Sequence, residues 1–171
     1  MGQQSGQERK LDDIGTYLPK HDRGSKPVRE VLVEKARREV LTVGPKETVL
    51  DALNLMAEKN VGALVVVDRE RVVGIVSERD YARKVILIGK SSRETAVEEI
   101  MGTPALTVST GTTVAECMAI MTGRHIRHLP VVADGVLIGL VSIGDIVKAL
   151  LADQEERLGR IEAYISGTYP A

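Results

Sequence analysis

The chain has 171 residues, 43% of them hydrophobic, and a formal net charge of -1, enough for one domain or two small ones. Aromatic residues make up 2%, with no Trp or Phe, so the core has to be built from Val, Ile, Leu, Ala and Met. That composition excludes the aromatic stacking platforms of single-strand nucleic-acid binders, and the charge balance gives no pull on polyanions.

Residues 1–26 are polar and read as an N-terminal extension. They carry no apolar signal-peptide core, and no apolar run of membrane length follows, so a cytoplasmic protein without membrane or nucleic-acid partners is expected. From residue 41 the chain repeats itself. An ungapped offset of 65 aligns Leu41 with Leu106, Thr48 with Thr113, Met56 with Met121, Gly74 with Gly139, Ser77 with Ser142 and Asp80 with Asp145. Agreement at Gly, Ser and Asp as well as at apolar positions marks a duplication.

Each copy predicts the same order of elements, β-α-β-β-α. A short apolar strand opens it, at residues 40–43 and again at 105–108. An amphipathic helix follows, at 49–60 and 114–124, and Val49, Leu53, Met56 and Ala57 fall at helical spacing. Thr48 with Asp51 and Thr113 with Glu116 form capping patterns at the two helix starts. Two strands come next, 63–67 with 72–76 and 128–132 with 136–141. Their connections read as hairpin turns, the Asp134-Gly135 pair most strongly because Gly accepts positive φ. A second helix begins after Ser77 and after Ser142. The repeats are placed at 27–88 and 97–151, with a polar link at 89–96 and a C-terminal helix and tail at 152–171. Each copy is near the lower size limit for a self-sufficient core, so the two are expected to pack face to face as an α+β unit. In the C-terminal helix Val147, Leu151, Leu158, Ile161 and Ile165 form an apolar stripe, suited either to a partner or to the chain's own domain.

The chemistry concentrates at Gly74-Ile75-Val76-Ser77-Glu78-Arg79-Asp80 and Gly139-Leu140-Val141-Ser142-Ile143-Gly144-Asp145. In generic form this is G-h-h-S-x-x-D, a strand entering a helix. Gly admits close approach to the backbone, a helix start offers free N–H groups, and an Asp carboxylate can accept two hydroxyls of a ribose. The same S-x-x-D is also a helix cap. Three features favour a ligand: the motif occurs twice at equivalent positions, Gly lies inside both strands, where Gly weakens a sheet, and Arg79 stands in a first helical turn, where a cation opposes the helix dipole. Pro130 lies within a strand, so its missing N–H is expected at an edge or a ligand cleft. Cys117 aligns with Ala52 on a helix inner face and reads as a packing thiol. A lone Cys excludes an internal disulfide and paired-cysteine zinc sites, and His125 and His128 read as surface or phosphate-contacting groups rather than metal ligands.

The doubled pattern, His128-Leu129-Pro130-Val131-Val132 and the two G-h-h-S-x-x-D segments resemble the cystathionine-β-synthase (CBS) domain pairs, over residues 27–151. Ser77-Glu78-Arg79-Asp80-Tyr81 and Met121-Thr122-Gly123 are similar to stand-alone bacterial members and related organellar ones. The resemblance implies two clefts for AMP, ATP, NAD-type dinucleotides or S-adenosylmethionine, and a homodimer. By position, Asp80 and Asp145 would hold ribose, and Ser77 and Ser142 phosphate or ribose. Backbone near Thr42, Thr107, Val61 and Ile126 would hold adenine. Arg127 and His128 would meet phosphate, opposite Gly62 and Ala63 in the other copy. One basic and one small, neutral cleft are therefore expected, with AMP at the Arg127 side and a larger ligand such as NAD or NADH in the other. There is no Ser-His-Asp set, no P-loop and no G-x-G-x-x-G fingerprint, so the expected function is non-enzymatic signalling to a protein partner. The alternatives are a ligand-free interaction and dimerisation module and, third, an enzyme acting through Cys117.

Overall fold

The computed structural model describes residues 25–35 and 40–165. Most of the expected N-terminal extension and the last residues of the tail lie outside the described residues. The elements are α1 (Val28–Glu34), β1 (Thr42–Val43), α2 (Val49–Lys59), β2 (Ala63–Asp68), β3 (Arg71–Ser77) and α3 (Glu78–Tyr81), which runs into a π-helical turn (Ala82–Ile86). A 3₁₀ turn (Val97–Glu99), β4 (Val108–Ser109), α4 (Val114–Arg124), β5 (His128–Ala133), β6 (Val136–Ser142) and α5 (Ile143–Ile165) complete the chain.

The strands form two three-stranded sheets, β1-β2-β3 and β4-β5-β6. In each the first pair is parallel and the second antiparallel. The register repeats with the sequence: Val43 faces Val66 as Val108 faces Val131, and Val66 faces Gly74 as Val131 faces Gly139. A bulge follows Val66 and Val131 alike. This is the expected α+β fold with a duplicated β-α-β-β-α order.

Local chemistry accounts for the boundaries. The Thr48 hydroxyl oxygen accepts the Asp51 N–H at 3.1 Å, and Thr113 accepts the Glu116 N–H at 3.2 Å. Glu116 completes the box by accepting the Thr113 N–H at 2.7 Å. Asp51 instead accepts the Thr48 hydroxyl, at 2.6 Å. Both hairpins turn through two residues of positive φ, Asp134 (49°) and Gly135 (79°) in one and Arg69 (46°) and Glu70 (68°) in the other. The first hairpin thus takes a left-handed turn without Asn or Gly, against the local preference. The first strands are shorter than the sequence suggests. Val65 donates its N–H to the Leu41 carbonyl at 3.2 Å. Its counterpart is Pro130, which has no N–H, and β4 begins one residue later than β1 does. The missing donor of Pro130 therefore faces the edge strand β4.

Two cores form, one under each sheet. The first gathers Val43, Met56, Leu64, Val66 and Val76, and the second Val108, Met121, Leu129, Val131, Val141 and Ile146. The segments leading into the repeats change places. Val28 and Val31 of α1 lie in the second core, while Val97 and Ile100 lie in the first. Short bridges fix the exchange: Pro27 with Thr113, and Ala96 with Thr48. Pro27, Val28, Val31 and Leu32 therefore correspond to Ala96, Val97, Ile100 and Met101, at an offset of 69 rather than 65. The chain takes ten residues from Leu32 to Thr42 but only six from Met101 to Thr107. That four-residue difference hid α1 from an ungapped comparison.

Candidate functional site: a basic cleft between the repeats

A cleft of about 1340 Å³ opens between the two halves. One wall is the start of β1 and the α2–β2 corner of the first repeat, with Thr42, Val61, Gly62 and Ala63. The opposite wall is β6 of the second repeat, from Leu137 to Leu140 and Ser142, with His128 of β5 beside it. Leu32, Val33 and Lys35, in and just after α1, close a third side. Among the described residues Arg29, Lys35 and Lys59 bring three cations to the lining, and no carboxylate lines it.

Of the residues singled out from sequence, Thr42, Val61, Gly62, His128 and Ser142 come together here. Asp145 stands just behind the rim. Its Oδ2 accepts the Ser142 N–H at 2.8 Å, the Ser142 hydroxyl at 2.8 Å and the Lys35 ammonium at 2.8 Å. Lys35 also donates to the Leu140 carbonyl at 3.1 Å. Asp80 repeats the cap, accepting the Ser77 N–H at 3.0 Å and its hydroxyl at 2.6 Å, while Lys84 lies 3.1 Å from its other oxygen. The S-x-x-D pattern is thus a helix cap in both copies. The remaining residues, Ser77, Arg79, Asp80, Thr107, Ile126, Arg127 and Pro130, do not line this cleft. Arg79 and Arg127 are exposed.

The strand glycines have a packing role that the sequence reading assigned to a ligand. A Cβ at Gly74 would stand 2.5 Å from Met101 Sδ, and one at Gly139 would stand 2.6 Å from Leu32 Cδ2. Each glycine makes room for the apolar residue of an exchanged leading segment. The expected contrast between clefts also changes. The cleft around Gly62 was expected to be small and neutral; among the described residues it holds His128, Arg29, Lys35 and Lys59. Arg29 and Lys35 were missed because they lie in and next to an undetected helix, and Lys59 because a cation closing the expected α2 carries no motif. The offset-69 match of Leu32 with Met101 was the available signal.

Electrostatics follow from these contacts. Burial pushes the Asp145 carboxyl up, but Lys35 and the Ser142 N–H and hydroxyl together outweigh it, so its pKa lies below the usual range. Burial pushes His128 toward its neutral form, and the nearby charges of Lys35 and Arg127 add to this against the opposing pull of Asp145. Cys117 is fully buried, and burial, with Glu116 alongside, pushes its thiol up to about 12. That thiol packs and does not ionise near neutrality. Among the described residues no group of three His, Cys, Asp or Glu is placed to hold a metal ion, and no helix is long and apolar enough to cross a membrane.

A family profile described as the CBS domain matches residues 28–86 and 97–152. The chain belongs to the CBS-domain family. Both CBS matches start at the exchanged leading segments, Val28 and Val97. The mitochondrial CBS domain-containing protein CBSX3 of Arabidopsis thaliana is 46% identical over 128 residues, which is 72% of this chain and 62% of that protein. The match thus spans less than two thirds of that relative. A Burkholderia ambifaria protein with CBS domains, named as a candidate signal-transduction protein, is 50% identical with a TM-score of 0.71. The alignment covers 75% of this chain and 96% of that one. A hexameric CBS-CP12 protein from bloom-forming cyanobacteria is 30% identical with a TM-score of 0.65, over 72% of this chain and 67% of that one.

Proposed function

We propose that this CBS pair is a regulatory module that binds an adenine nucleotide in the cleft between its repeats and passes the event to a protein partner. The observation that carries the reading is the lining itself. Strand-end backbone at Thr42, Val61 and Gly62, with Lys59 beside it, shares one space with Arg29, Lys35 and His128. Exposed backbone suits a flat base, and a cluster of cations suits phosphate, which would compete with Asp145 for Lys35 and with Glu58 for Lys59. Asp145 can turn its second oxygen to a ribose hydroxyl while Oδ2 keeps its cap.

Signalling would follow from the Lys35 contact. Lys35 ties the end of α1 to Asp145 at the start of α5 and to the Leu140 carbonyl in β6. A phosphate competing for Lys35 would loosen that tie and favour another arrangement of α1 and α5. A ligand shifts such an equilibrium only through its differential affinity for the two arrangements.

The test is thermal unfolding with AMP, ATP, NAD, NADH and S-adenosylmethionine. A ligand at 100-fold its dissociation constant adds about 2.7 kcal/mol, raising Tm by roughly 5–10 °C for a chain this size. Phosphate-bearing ligands are expected to act, the cationic sulfonium ligand much less, and Lys35→Glu to remove the response. If none shifts Tm at millimolar concentration, the nucleotide reading fails and a ligand-free interaction module takes its place.

A further inference from the structure

Among the described residues, helix α5 buries side chains only in its first turns. Ile146 and Ala149 are its buried residues, and from Leu151 the helix carries its side chains largely into solvent. Residues 151–165 would extend ~22 Å at 1.5 Å per residue. A helix segment of this length is marginal in water without tertiary support, and Gly159 within it costs a further ~1 kcal/mol.

Yet this segment exposes apolar residues in a strict order. Val147, Leu151, Gln154, Leu158, Ile161 and Ile165 alternate spacings of four and three. This is the a/d seam of a two-stranded coiled coil, with Leu151, Leu158 and Ile165 at a. Leu151, Leu158, Ile161 and Ile165 are 61%, 59%, 55% and 78% exposed. The charged pairs Asp153 with Arg157 and Glu156 with Arg160 lie outside the seam, along the helix.

We propose that α5 pairs with α5 of a second copy as a parallel, in-register coiled coil. Charge and polarity select this occupant and this direction. In a parallel pair Arg157 at g reaches Glu162 at e of the partner subunit, twice by symmetry. An antiparallel pair over the same seam sets Glu155 near Glu155 and Arg157 near Arg157. Gln154 at d meets its own copy across the axis only in the parallel register, where the two amides can hydrogen-bond and fix the alignment. Glu155 and Glu162, both flanking the seam at e, disfavour an anionic lipid surface. This surface stands apart from the cleft and does not depend on what the cleft binds.

Sedimentation of the full chain tests it. A concentration-dependent dimer is expected, weakened at least about 100-fold by Leu158→Glu with Ile161→Glu, because each charge would be buried in the seam. Both positions are exposed in the single chain, so circular dichroism should show each variant folded. Arg157→Glu should weaken the dimer and Arg157→Glu with Glu162→Arg should restore it. Direction is read from Leu151→Cys under mild oxidation, since the native Cys117 is buried. A parallel pair places the two cysteines together and cross-links; an antiparallel pair separates them by ~15 Å and does not. A monomer at all concentrations overturns the proposal. So does a dimer indifferent to Leu158→Glu with Ile161→Glu, or one that Leu151→Cys fails to cross-link.

Discussion

Replacing Gly74 by Ala separates a packing glycine from a ligand-approach glycine. The added methyl would stand 2.5 Å from Met101 Sδ, 3.0 Å from Met101 Cγ and 3.0 Å from the Gly102 carbonyl oxygen. The thioether can swing away, but the carbonyl cannot. Gly102 accepts the Ile75 N–H at 3.2 Å and donates its own N–H to the Ile75 carbonyl at 2.8 Å. Overpacking of this kind costs ~1–3 kcal/mol. Restricting the unfolded chain returns ~0.4–1 kcal/mol. The net loss is ~1.3 kcal/mol, or a Tm lower by roughly 3–5 °C. Gly139→Ala should cost less, because its contacts are the side-chain atoms of one half-buried leucine, Leu32. Gly111→Ala, with nothing within 4 Å, is the control. Thermal denaturation monitored by circular dichroism gives all three. If Gly74→Ala melts with Gly111→Ala, the methyl is accommodated and the packing argument is wrong.

Three further outcomes follow. Glu70→Gly should raise Tm, by ~0.5–1 kcal/mol of stability, since it relieves a left-handed residue at φ 68°; an unchanged or lower Tm would mean the turn relaxes at no cost. Thr113→Ala should lose ~1 kcal/mol or more, and more than Thr48→Ala, because only Thr113 sits in a complete reciprocal box; equal losses by chemical denaturation would sink the distinction. Acidification should weaken the fold in two stages. The folded pKa of His128 is lowered, chiefly by burial, with Lys35 and Arg127 adding and Asp145 opposing. Its contribution is therefore present above the unfolded histidine value of ~6.5 and lost as pH falls below it. Asp145, also lowered, adds a loss below the unfolded carboxyl value of ~3.9. His128→Asn should flatten the first stage and leave the second, as read from Tm between pH 7 and pH 3; an unchanged slope between pH 7 and pH 5 would refute the assignment.

Much of the fold was legible because duplication and register share one number. The offset of 65 that aligns Val66 with Val131 also aligns their partners Gly74 and Gly139. Helix starts were legible too, since Thr48 and Thr113 act within three residues of themselves. What escaped depends on distant contacts. Helix α1 has seven residues and rests on β6 of the other repeat; nothing in its local pattern says so. Arg29 and Lys35 of the cleft came from the same blind spot. Ser77 and Ser142 were read for both capping and ligand chemistry, and capping is what their neighbours satisfy.

The same four residues explain why the halves of a duplicated chain differ where it matters. Ile75 and Leu140 occupy one position in the two repeats, and each carbonyl has a partner. Ile75 receives the backbone N–H of Gly102, so the leading segment of the second repeat lies flat against β3. Leu140 receives the Lys35 ammonium instead. A side chain with a flexible four-carbon stem replaces a fixed backbone contact, and it can be withdrawn without unpicking a strand. The longer connection before β1 thus gives one repeat interface a movable cation where the other has a main-chain bridge. Under the proposed function, the Gly102 bridge would hold the geometry of one interface while an anion bound in the cleft competes for Lys35 at the other.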